Sequence, residues 1–296
     1  MDRHHLSRRR ATNQAEGLPT DQDTIDDFVN YIREKMRVMC IGLDRVANFD
    51  ETNCYFSPEL AYTIAEKGSR TVSVAKADSA AHCTVMLGGL MDGKKIPPYV
   101  IYLGTETGRV QGYCSRWESY GWASGVFYRA QKKAWMDEIC MVDWVNKVWG
   151  PYTKRVGSPT LLILDEAKTH LTPDVRQLLN SCGTEVEYIP PRYTSKLQPM
   201  DVGMNKPFKD RMREYVEDFM VTYGVDKKPV RRDVSHWIKK SWNDIPESVL
   251  VKTWKHIGYT GDKRNVEGLS EDILAMEEPD DSDHDSDDDS RTSKDF

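Results

Sequence analysis

An aspartate, Asp165, directly follows the mostly apolar run TLLIL at residues 160–164. Runs of four to eight such residues are typical of interior strands, and ligands of α/β folds collect where such strands end. A carboxylate there is held on a rigid element but reaches the open edge of a sheet, which suits a hard cation such as Mg²⁺. Because such an ion is usually shared by several carboxylates when it assists phosphoryl transfer, further acidic partners are expected elsewhere in the chain.

Two other aspartates stand in comparable positions. Residues 45–52 have the alternation of a short strand that ends in an acidic pair, and Asp50 is the first acid of that pair. Asp201 follows a loop and precedes a helical pattern of apolar side chains over residues 208–215. The sequence therefore predicts that both aspartates meet Asp165 in one metal site.

Spacing alone does not identify such a site, because 47 of the 296 residues are acidic and matching offsets arise by chance. Taken singly, each aspartate is better explained by a solvated strand end or by a helix N-cap. The three local contexts together favour metal binding over these structural roles.

The residues around the three aspartates resemble the catalytic blocks of a known family. The blocks are NFDET at residues 48–52, LILDEAKTH at residues 162–170 and IPPRYTSKLQPMD at residues 189–201. They resemble those of the DDE superfamily endonucleases, in particular the pogo/Tigger/Jerky-like transposases, and the third block is the most specific. The resemblance runs from about residue 5 to residue 260.

The resemblance implies an α/β chain with an RNase H-like fold, in which a mixed central sheet is flanked by helices and followed by additional C-terminal helices. It also implies that Asp50, Asp165 and Asp201 form the catalytic and metal-binding triad, with two Mg²⁺ or Mn²⁺ ions as cofactors. Glu166 and Lys168 depart from the pattern, since the family commonly has asparagine and proline at these positions. Glu166 would add negative charge beside the metals and change their affinity.

Such a site implies cleavage and strand transfer at DNA phosphodiesters. Two metal ions about 3.5–4 Å apart stabilise both the attacking and the leaving oxygen of an in-line displacement. The nucleophile is a water molecule or the 3′-hydroxyl of cut DNA, so no side-chain nucleophile is required. His170, also assigned to the catalytic set, has two open interpretations: it orients the attacking water or contacts a phosphate, or it is a loop histidine bonded to backbone.

The strands expected in this chain fit a layered α/β arrangement. Five segments besides residues 45–52 have strand composition: residues 70–75, 83–91, 99–103, 160–164 and 184–188. The first three of these, with a turn at Asp92-Gly93, predict an antiparallel meander.

Two helices are expected between the strands. Residues 131–149 carry apolar side chains at a three-to-four spacing, which predicts an amphipathic helix closed by Gly150-Pro151. A threonine-proline pair at residues 172–173 predicts the start of a second helix that runs to about residue 180. The glycine- and aromatic-rich residues 104–125 are expected to be a surface excursion. Five tryptophans are expected in the core rather than stacked on bases: Trp117, Trp122, Trp135, Trp144 and Trp149.

Composition divides the chain into three parts. Residues 1–40 are expected to be a linker and lead-in helix, residues 41–260 the catalytic domain, and residues 261–296 an acidic disordered tail. Residues 5–12 resemble the linker that follows a helix-turn-helix region in the family, and that upstream region is absent from this sequence. The chain is therefore interpreted as a remnant or a truncated gene product.

The net charge of −6 comes from the tail. Residues 277–296 carry ten acidic and two basic side chains, so residues 1–276 have a net charge of +2. DNA binding is then expected to depend on local basic clusters. The expected nucleic-acid-binding residues are near the N-terminus and beside Asp201: Arg8, Arg9, Arg10, Lys196, Lys206 and Lys209.

Composition also excludes some classes of protein. No stretch has the ~20 apolar residues of a membrane span, and the N-terminus has no secretory signal. The six cysteines form no CxxC pair, which is typical of reduced thiols inside the cell. With DNA as the expected partner, we expect a nuclear protein that acts as a homodimer in a synaptic complex.

Three functions remain compatible with the sequence. The first is a metal-dependent DNA endonuclease and transposase domain, which the three retained aspartates favour. The second is a domesticated, catalytically silent nucleic-acid-binding protein, which Glu166 and the absent recognition region favour. A metal-dependent phosphatase is less favoured, because no glycine cradle for a free phosphate is present.

Overall fold

A mixed six-stranded sheet forms the centre of the structure, a computed structural model that describes residues 21–55, 82–224 and 227–261. Its strands are β1 (Val46–Tyr55), β2 (His82–Leu90), β3 (Lys95–Leu103), β4 (Phe127–Gln131), β5 (Thr160–Leu164) and β6 (Thr184–Tyr188). They lie in the order β4, β3, β2, β1, β5, β6. This order puts β1 beside β5 at the centre, so the two strands predicted to carry Asp50 and Asp165 are neighbours.

The strand pairing is antiparallel among β1, β2 and β3 and parallel on either side of these three strands. β1 pairs antiparallel with β2, and β2 with β3, through the predicted turn at Asp92-Gly93. Gly93 has a φ of 97°, a conformation that glycine adopts without strain. The β1–β5, β5–β6 and β3–β4 pairs are parallel. The antiparallel neighbours expected for β2 and β3 are thus present, while the strand predicted at residues 70–75 lies outside the described residues.

Helices cover both faces of the sheet. The α-helices of the described residues are α1 (Gln22–Met39), α2 (Arg109–Ser115), α3 (Glu138–Trp144), α4 (Gly150–Val156), α5 (Pro173–Ser181), α6 (Thr194–Leu197), α7 (Asn205–Tyr223), α8 (Arg231–Asp244) and α9 (Glu247–Ile257). The helix predicted from residue 172 is confirmed as α5, and α7 begins shortly after Asp201 as expected. α8 and α9 are the C-terminal helices that the family resemblance implied.

Alternation along β1 divides the core into two layers. Val46 and Cys54 join the layer that contains apolar side chains of α7, α8 and α9. Ala47 and Phe49 join the opposite layer, where the Phe49 ring lies 4.5 Å from the ring of Trp144 between centroids. The molecule therefore has a helix–sheet–helix architecture.

α1 lies in the part of the chain where a lead-in helix was expected, and it docks at the β6 edge of the sheet. The Lys35 ammonium forms ion pairs with Glu187 and, at 2.8 Å, with Glu185. The Tyr31 hydroxyl donates to Glu187 at 2.9 Å. These contacts tie the helix to the last strand of the sheet.

The helix predicted over residues 131–149 is wrong at both ends. Gln131 ends β4, and α3 begins at Glu138, where the Asp137 carboxylate accepts a hydrogen bond from the Cys140 backbone N–H at 2.8 Å. A widened π-helical turn, Val145–Trp149, then leads directly into α4, so Gly150-Pro151 does not end the helix. Proline lacks an N–H to donate, and the wider turn accommodates it within a continuous helical segment.

The glycine- and aromatic-rich segment is more structured than a surface excursion. It contains α2, whose Cys114 is buried.

Of the five tryptophans expected in the core, three are buried: Trp122, Trp144 and Trp149. Trp117 packs partly buried against the core. Trp135 is 60% exposed, so its assignment to the core was wrong, because it lies in the loop before α3 rather than on a helix face.

Candidate active site

The central strand β1 carries two adjacent acids to opposite faces of the sheet. Asn48, Asp50 and Thr52 share one face and are buried, and Asp50 is 8% exposed. Glu51 points to the other face, because successive strand side chains alternate. Acidic side chains are therefore available on both faces of β1. The expectation that this pair ends the strand was wrong, because β1 continues to Tyr55.

A buried asparagine, Asn48, connects the three chain segments that carry the aspartates. Its Nδ2 donates to the Ile163 carbonyl of β5 at 2.7 Å. Its Oδ1 accepts from the Met200 backbone N–H at 2.9 Å. One side chain, 0% exposed, thus fixes β1 against the end of β5 and against the residue that precedes Asp201.

Asp201 lies in a second π-helical turn, Met200–Met204, that opens into α7. This turn approaches α9 closely at Gly203, where an added Cβ would collide with the Thr253 side chain. Such widened turns occur frequently at functional sites. The close approach and the Asn48 bond together hold the Asp201 backbone in place.

Asp50 and Asp201 are joined by a third side chain, that of Asn205. The Asn205 amide Nδ2 donates to Asp50 Oδ2 at 2.5 Å and to Asp201 Oδ1 at 3.1 Å. Gln198 Nε2 adds a longer bond to Asp201 Oδ2 at 3.3 Å. We call Asp50, Asp201 and Asn205 the amide-bridged group.

The amide-bridged group is short of positive charge. Burial of Asp50, together with the nearby charges of Asp201 and Glu51, raises the pKa of Asp50 well above its ordinary value. The hydrogen bond from Asn205 acts in the opposite direction but does not outweigh these effects. A group with this electrostatic deficit favours either a proton or a cation.

The third aspartate, Asp165, is bound to a histidine. Its Oδ1 lies 2.8 Å from His170 Nδ1 and accepts a bond from the Ala167 backbone N–H at 3.2 Å. The other ring nitrogen, His170 Nε2, lies 3.2 Å from Glu51 Oε1. We call Asp165, His170 and Glu51 the histidine-bridged group.

The histidine-bridged group already contains its cation. Burial alone would lower the pKa of His170, but the bonds to Asp165 and Glu51 outweigh it and raise that pKa to about 10. Burial would likewise raise the pKa of Asp165, yet its bond to His170 leaves that pKa below the ordinary value. His170 is 1% exposed, and each of its ring nitrogens contacts a carboxylate. His170 Nδ1 also lies 3.4 Å from the Asp165 backbone carbonyl oxygen, so the buried ring contacts backbone as well as the two carboxylates.

The structure brings two of the three predicted aspartates into one group and holds the third in another. Asp50 and Asp201 share Asn205, whereas Asp165 is connected to β1 through His170 and Glu51. Across the described ranges, no set of three His, Cys, Asp or Glu side chains is arranged to hold a metal ion.

The donor atoms of the amide-bridged group nevertheless fit a hard divalent cation. Two carboxylates lie beside two amide oxygens, Asn205 Oδ1 and Gln198 Oε1, that are buried without a hydrogen-bond partner. Mg²⁺ and Mn²⁺ prefer oxygen ligands of this kind. Asp165 contacts His170 and Ala167 through Oδ1, so its carboxylate group keeps a second oxygen, Oδ2, outside those contacts.

Four residues of the site were not identified from the sequence: Asn48, Glu51, Gln198 and Asn205. Two signals point to them. Asn205 follows Asp201 by four residues, which places two side chains on one side of a helical segment. Glu51 follows Asp50 on a strand and so had to face the opposite side of the sheet.

The basic residues predicted to bind DNA are exposed around Asp201. Lys196, Lys206 and Lys209 are all solvent-exposed, and Lys206 forms an ion pair with Asp210 at 3.0 Å. The predicted arginines at residues 8–10 lie outside the described residues. The lysines remain predictions as DNA contacts.

Curated relatives of this chain include pogo- and Jerky-type proteins. The human "Pogo transposable element with KRAB domain" is 29% identical over 267 residues, which is 86% of this chain and 42% of the relative. The human "Jerky protein homolog" is 25% identical over 140 residues, or 45% of this chain and 24% of the relative. The chain thus spans less than half the length of these relatives.

Solved structures of similar shape belong to the Mos1 system. The Mos1 strand transfer complex matches with a TM-score of 0.53 at 11% identity, over 86% of this chain and 63% of that one. A pre-cleavage Mos1 transpososome matches with a TM-score of 0.50 at 12% identity, over 92% and 67% of the two chains. At such low identity the likeness concerns the fold alone, and it confirms the expected RNase H-like fold.

The described helices include none that is long and apolar enough to cross a membrane.

The sequence profile of the family described as "DDE superfamily endonuclease" matches residues 80–254, more than half of the chain, and this range contains Asp165 and Asp201. The expected membership of this family is thereby confirmed, and the chain belongs to the DDE superfamily endonucleases.

Proposed function

We propose that this chain is the catalytic domain of a pogo-like transposase, a metal-dependent DNA endonuclease and strand transferase that acts on DNA phosphodiesters. The observation that carries the proposal is the amide-bridged group. Asp50 and Asp201 come from distant parts of the chain, yet both accept hydrogen bonds from one Asn205 amide nitrogen. Both lie next to the end of β5, the strand that leads to Asp165, and this placement supports the proposal.

The residues that would hold two Mg²⁺ or Mn²⁺ ions are Asp50, Asp165 and Asp201. Bound ions of this kind would neutralise charge on the phosphodiester and lower the pKa of an attacking water or 3′-hydroxyl. Asp50 is the ligand with the greatest need of a cation, because its burial beside Asp201 leaves its negative charge poorly compensated.

His170 would act through Asp165 as a positioning residue rather than as a base. Its two nitrogens contact Asp165 and Glu51, and its raised pKa of about 10 keeps the ring protonated at neutral pH. A protonated, buried imidazole cannot accept a proton from water. It can fix the direction of the Asp165 carboxylate, as partners of metal ligands commonly do.

DNA would approach over the exposed lysines near Asp201. Lys196, Lys206 and Lys209 are long, solvent-exposed cations of the kind that contact backbone phosphates without reading sequence. A nuclear location and a homodimer in a synaptic complex follow from this activity as parts of the same proposal.

The proposal is tested by nicking of supercoiled plasmid DNA with Mg²⁺ or Mn²⁺. Wild-type protein is expected to produce nicked circles, and Asp201→Asn is expected to reduce the rate roughly 100-fold or more, since even outer partners of metal ligands commonly contribute 10–100-fold. The matched control is Asp218→Asn, which removes an exposed acid from the same helical region, α7, and should nick like wild type. Equal nicking by Asp201→Asn and the control would refute the enzymatic function.

A second candidate function is a catalytically silent DNA-binding protein. The observation that favours it is the separation of Asp165 from the amide-bridged group, where it is held by its bond to His170. On this alternative, the purified protein binds DNA and Asp201→Asn leaves binding intact, while neither Mg²⁺ nor Mn²⁺ induces nicking. The plasmid assay combined with a DNA-binding measurement separates the two functions.

A further inference from the structure

Two amide oxygens beside Asp50 and Asp201 have no partner. Asn205 Oδ1 and Gln198 Oε1 are both buried, and neither accepts a hydrogen bond within the described part of the chain. Buried amide oxygens are normally satisfied, and an exception calls for an explanation such as a role as an ion ligand. The two exceptions occur next to the same pair of carboxylates.

Both amides direct their nitrogen, not their oxygen, at the carboxylates. Asn205 Nδ2 bonds to Asp50 and Asp201, and Gln198 Nε2 bonds to Asp201. This orientation is the one that two neighbouring carboxylates require when no cation is present, because an amide N–H is a donor. A divalent cation reverses the requirement, since its ligands are oxygens.

Asn205 can present either its amide nitrogen or its amide oxygen to the carboxylates without a movement of its backbone. It is the first residue of α7 and is 8% exposed, and Pro207 and Phe208 just after it are buried. Its terminal torsion is broad and roughly two-fold, so the amide can exchange its oxygen and nitrogen by rotation alone. The side chain stays between the same neighbours while the atom that faces the carboxylates changes.

We propose that Asn205 is an additional oxygen ligand of the divalent cation at Asp50 and Asp201. In this structure its Nδ2 bridges the two carboxylates, and with an ion bound its amide would turn to present Oδ1. The proposal rests on the metal-dependent function proposed above and extends it by one named ligand. Gln198, with the longer bond and the contact to Asp201 alone, is not assigned this role.

The alternative is that Asn205 is only a structural bridge that donates N–H bonds. Substitution by aspartate distinguishes the two roles, because aspartate keeps an oxygen at this position but loses the N–H donors. Substitution by alanine removes both. A ligand role predicts different ion affinities for these variants, whereas a purely structural role predicts that both variants lose the bridge alike.

The test is titration of Mn²⁺ into purified full-length protein without DNA, followed by calorimetry and by electron paramagnetic resonance of free Mn²⁺. Asn205→Ala is expected to weaken Mn²⁺ binding by about tenfold or more. Asn205→Asp is expected to bind Mn²⁺ at least as tightly as wild type. Asn180→Asp, a change of the same type at an exposed position of α5, should leave the affinity unchanged. Circular dichroism confirms that each variant is folded.

A readout that needs no alanine variant is the NMR signal of the Asn205 side-chain amide, assigned by its absence from Asn205→Asp. Mg²⁺ is expected to shift this signal strongly while leaving that of Asn180 in place. Equal Mn²⁺ affinity of Asn205→Ala and wild type, or equally weak binding by Asn205→Asp and Asn205→Ala, would overturn the ligand role.

These outcomes are separable from failure of the proposed function, because the titration contains no DNA. Mn²⁺ binding with the expected variant order but without plasmid nicking would support the ligand role and refute the enzyme. Plasmid nicking combined with a different order of Mn²⁺ affinities among the variants would support the enzyme and refute the ligand role. Absence of Mn²⁺ binding by wild type would overturn both.

Discussion

The two halves of the candidate site balance charge in opposite ways. In the amide-bridged group, Asp50 and Asp201 share a neutral donor, and the pKa of Asp50 is raised by burial and by the neighbouring charge. In the histidine-bridged group, Asp165 and Glu51 share a protonated imidazole, and the pKa of Asp165 is lowered. Both groups contain two acids from different chain segments, so the difference is the charge of the bridging side chain.

The comparison gives the proposed metal site two parts that differ in charge. A neutral amide leaves the negative charge of Asp50 and Asp201 uncompensated and so leaves room for an external cation. A protonated histidine compensates Asp165 and Glu51 internally and stabilises the fold before any ion binds. We therefore expect ion binding to begin at the amide-bridged group, with Asp165 joining through its remaining carboxylate oxygen.

The largest expected effect is a loss of stability when the protonated His170 ring of the histidine-bridged group is removed. His170→Ala leaves Asp165 and Glu51 facing each other at a largely buried position, and loss of one partner of such a pair costs about 3 kcal/mol. Urea denaturation at pH 7 measures the free energy of unfolding. The control His236→Ala, at an exposed histidine of α8, should change that free energy by less than about 0.5 kcal/mol. Equal effects of the two substitutions would show that His170 carries no charge in the folded protein.

A smaller effect follows from the pH dependence of the same residue. The folded-state pKa of His170, about 10, lies above the ordinary value of 6.5, so its stabilising contribution is full below pH 6.5 and is lost as pH rises through 10. The difference in unfolding free energy between wild type and His170→Gln is therefore expected to narrow steadily between pH 6.5 and pH 9.5. Urea denaturation curves measured from pH 6.5 to pH 9.5 give this difference in unfolding free energy. A gap that stays constant or widens would mean that the folded imidazole is neutral.

Much of this arrangement follows from local sequence. The strand ending before Asp165, the strand containing Asp50 and the helix after Asp201 are each visible as an apolar pattern, and the family resemblance supplied their common role. The helix after Thr172 was identified from its threonine-proline start. These elements depend on periodicity and on turn residues, which act over a few neighbouring positions.

The bridging residues depend on long-range contacts that no local pattern contains. His170 meets Glu51, and Asn205 meets Asp50, only because β1 lies between β2 and β5 in the sheet. The helix misplaced over residues 131–149 has a related cause. Its continuation through Pro151 requires a π-helical turn, and an apolar spacing does not distinguish that turn from a helix end.

The smallest expected effect is also the sharpest test of the comparison, because one substitution type should have opposite signs in the two groups. Asp50→Asn removes a poorly compensated charge while keeping atoms that can bond to Asn205 and Asp201. It is expected to stabilise the ion-free protein by about 1 kcal/mol at pH 7. Asp165→Asn removes a carboxylate that His170 stabilises and is expected to destabilise by a similar amount. Thermal and urea unfolding in a chelator measure both differences.

The pH dependence distinguishes this explanation from a simple packing effect. The folded-state pKa of Asp50 is raised, so the advantage of Asp50→Asn vanishes below the ordinary value of 3.8, grows as pH rises from there towards the folded-state pKa, and is constant above it. The folded-state pKa of Asp165 is lowered, so its own contribution is present above 3.8 and is lost as pH falls through the folded-state pKa. Asp50→Asn is also expected to lose metal-dependent nicking, although the variant is more stable, because it lacks the carboxylate proposed to bind the cation. If both asparagine variants shifted stability in the same direction at pH 7, the two groups would not differ in charge balance, and the order of ion binding inferred from that difference would have no basis.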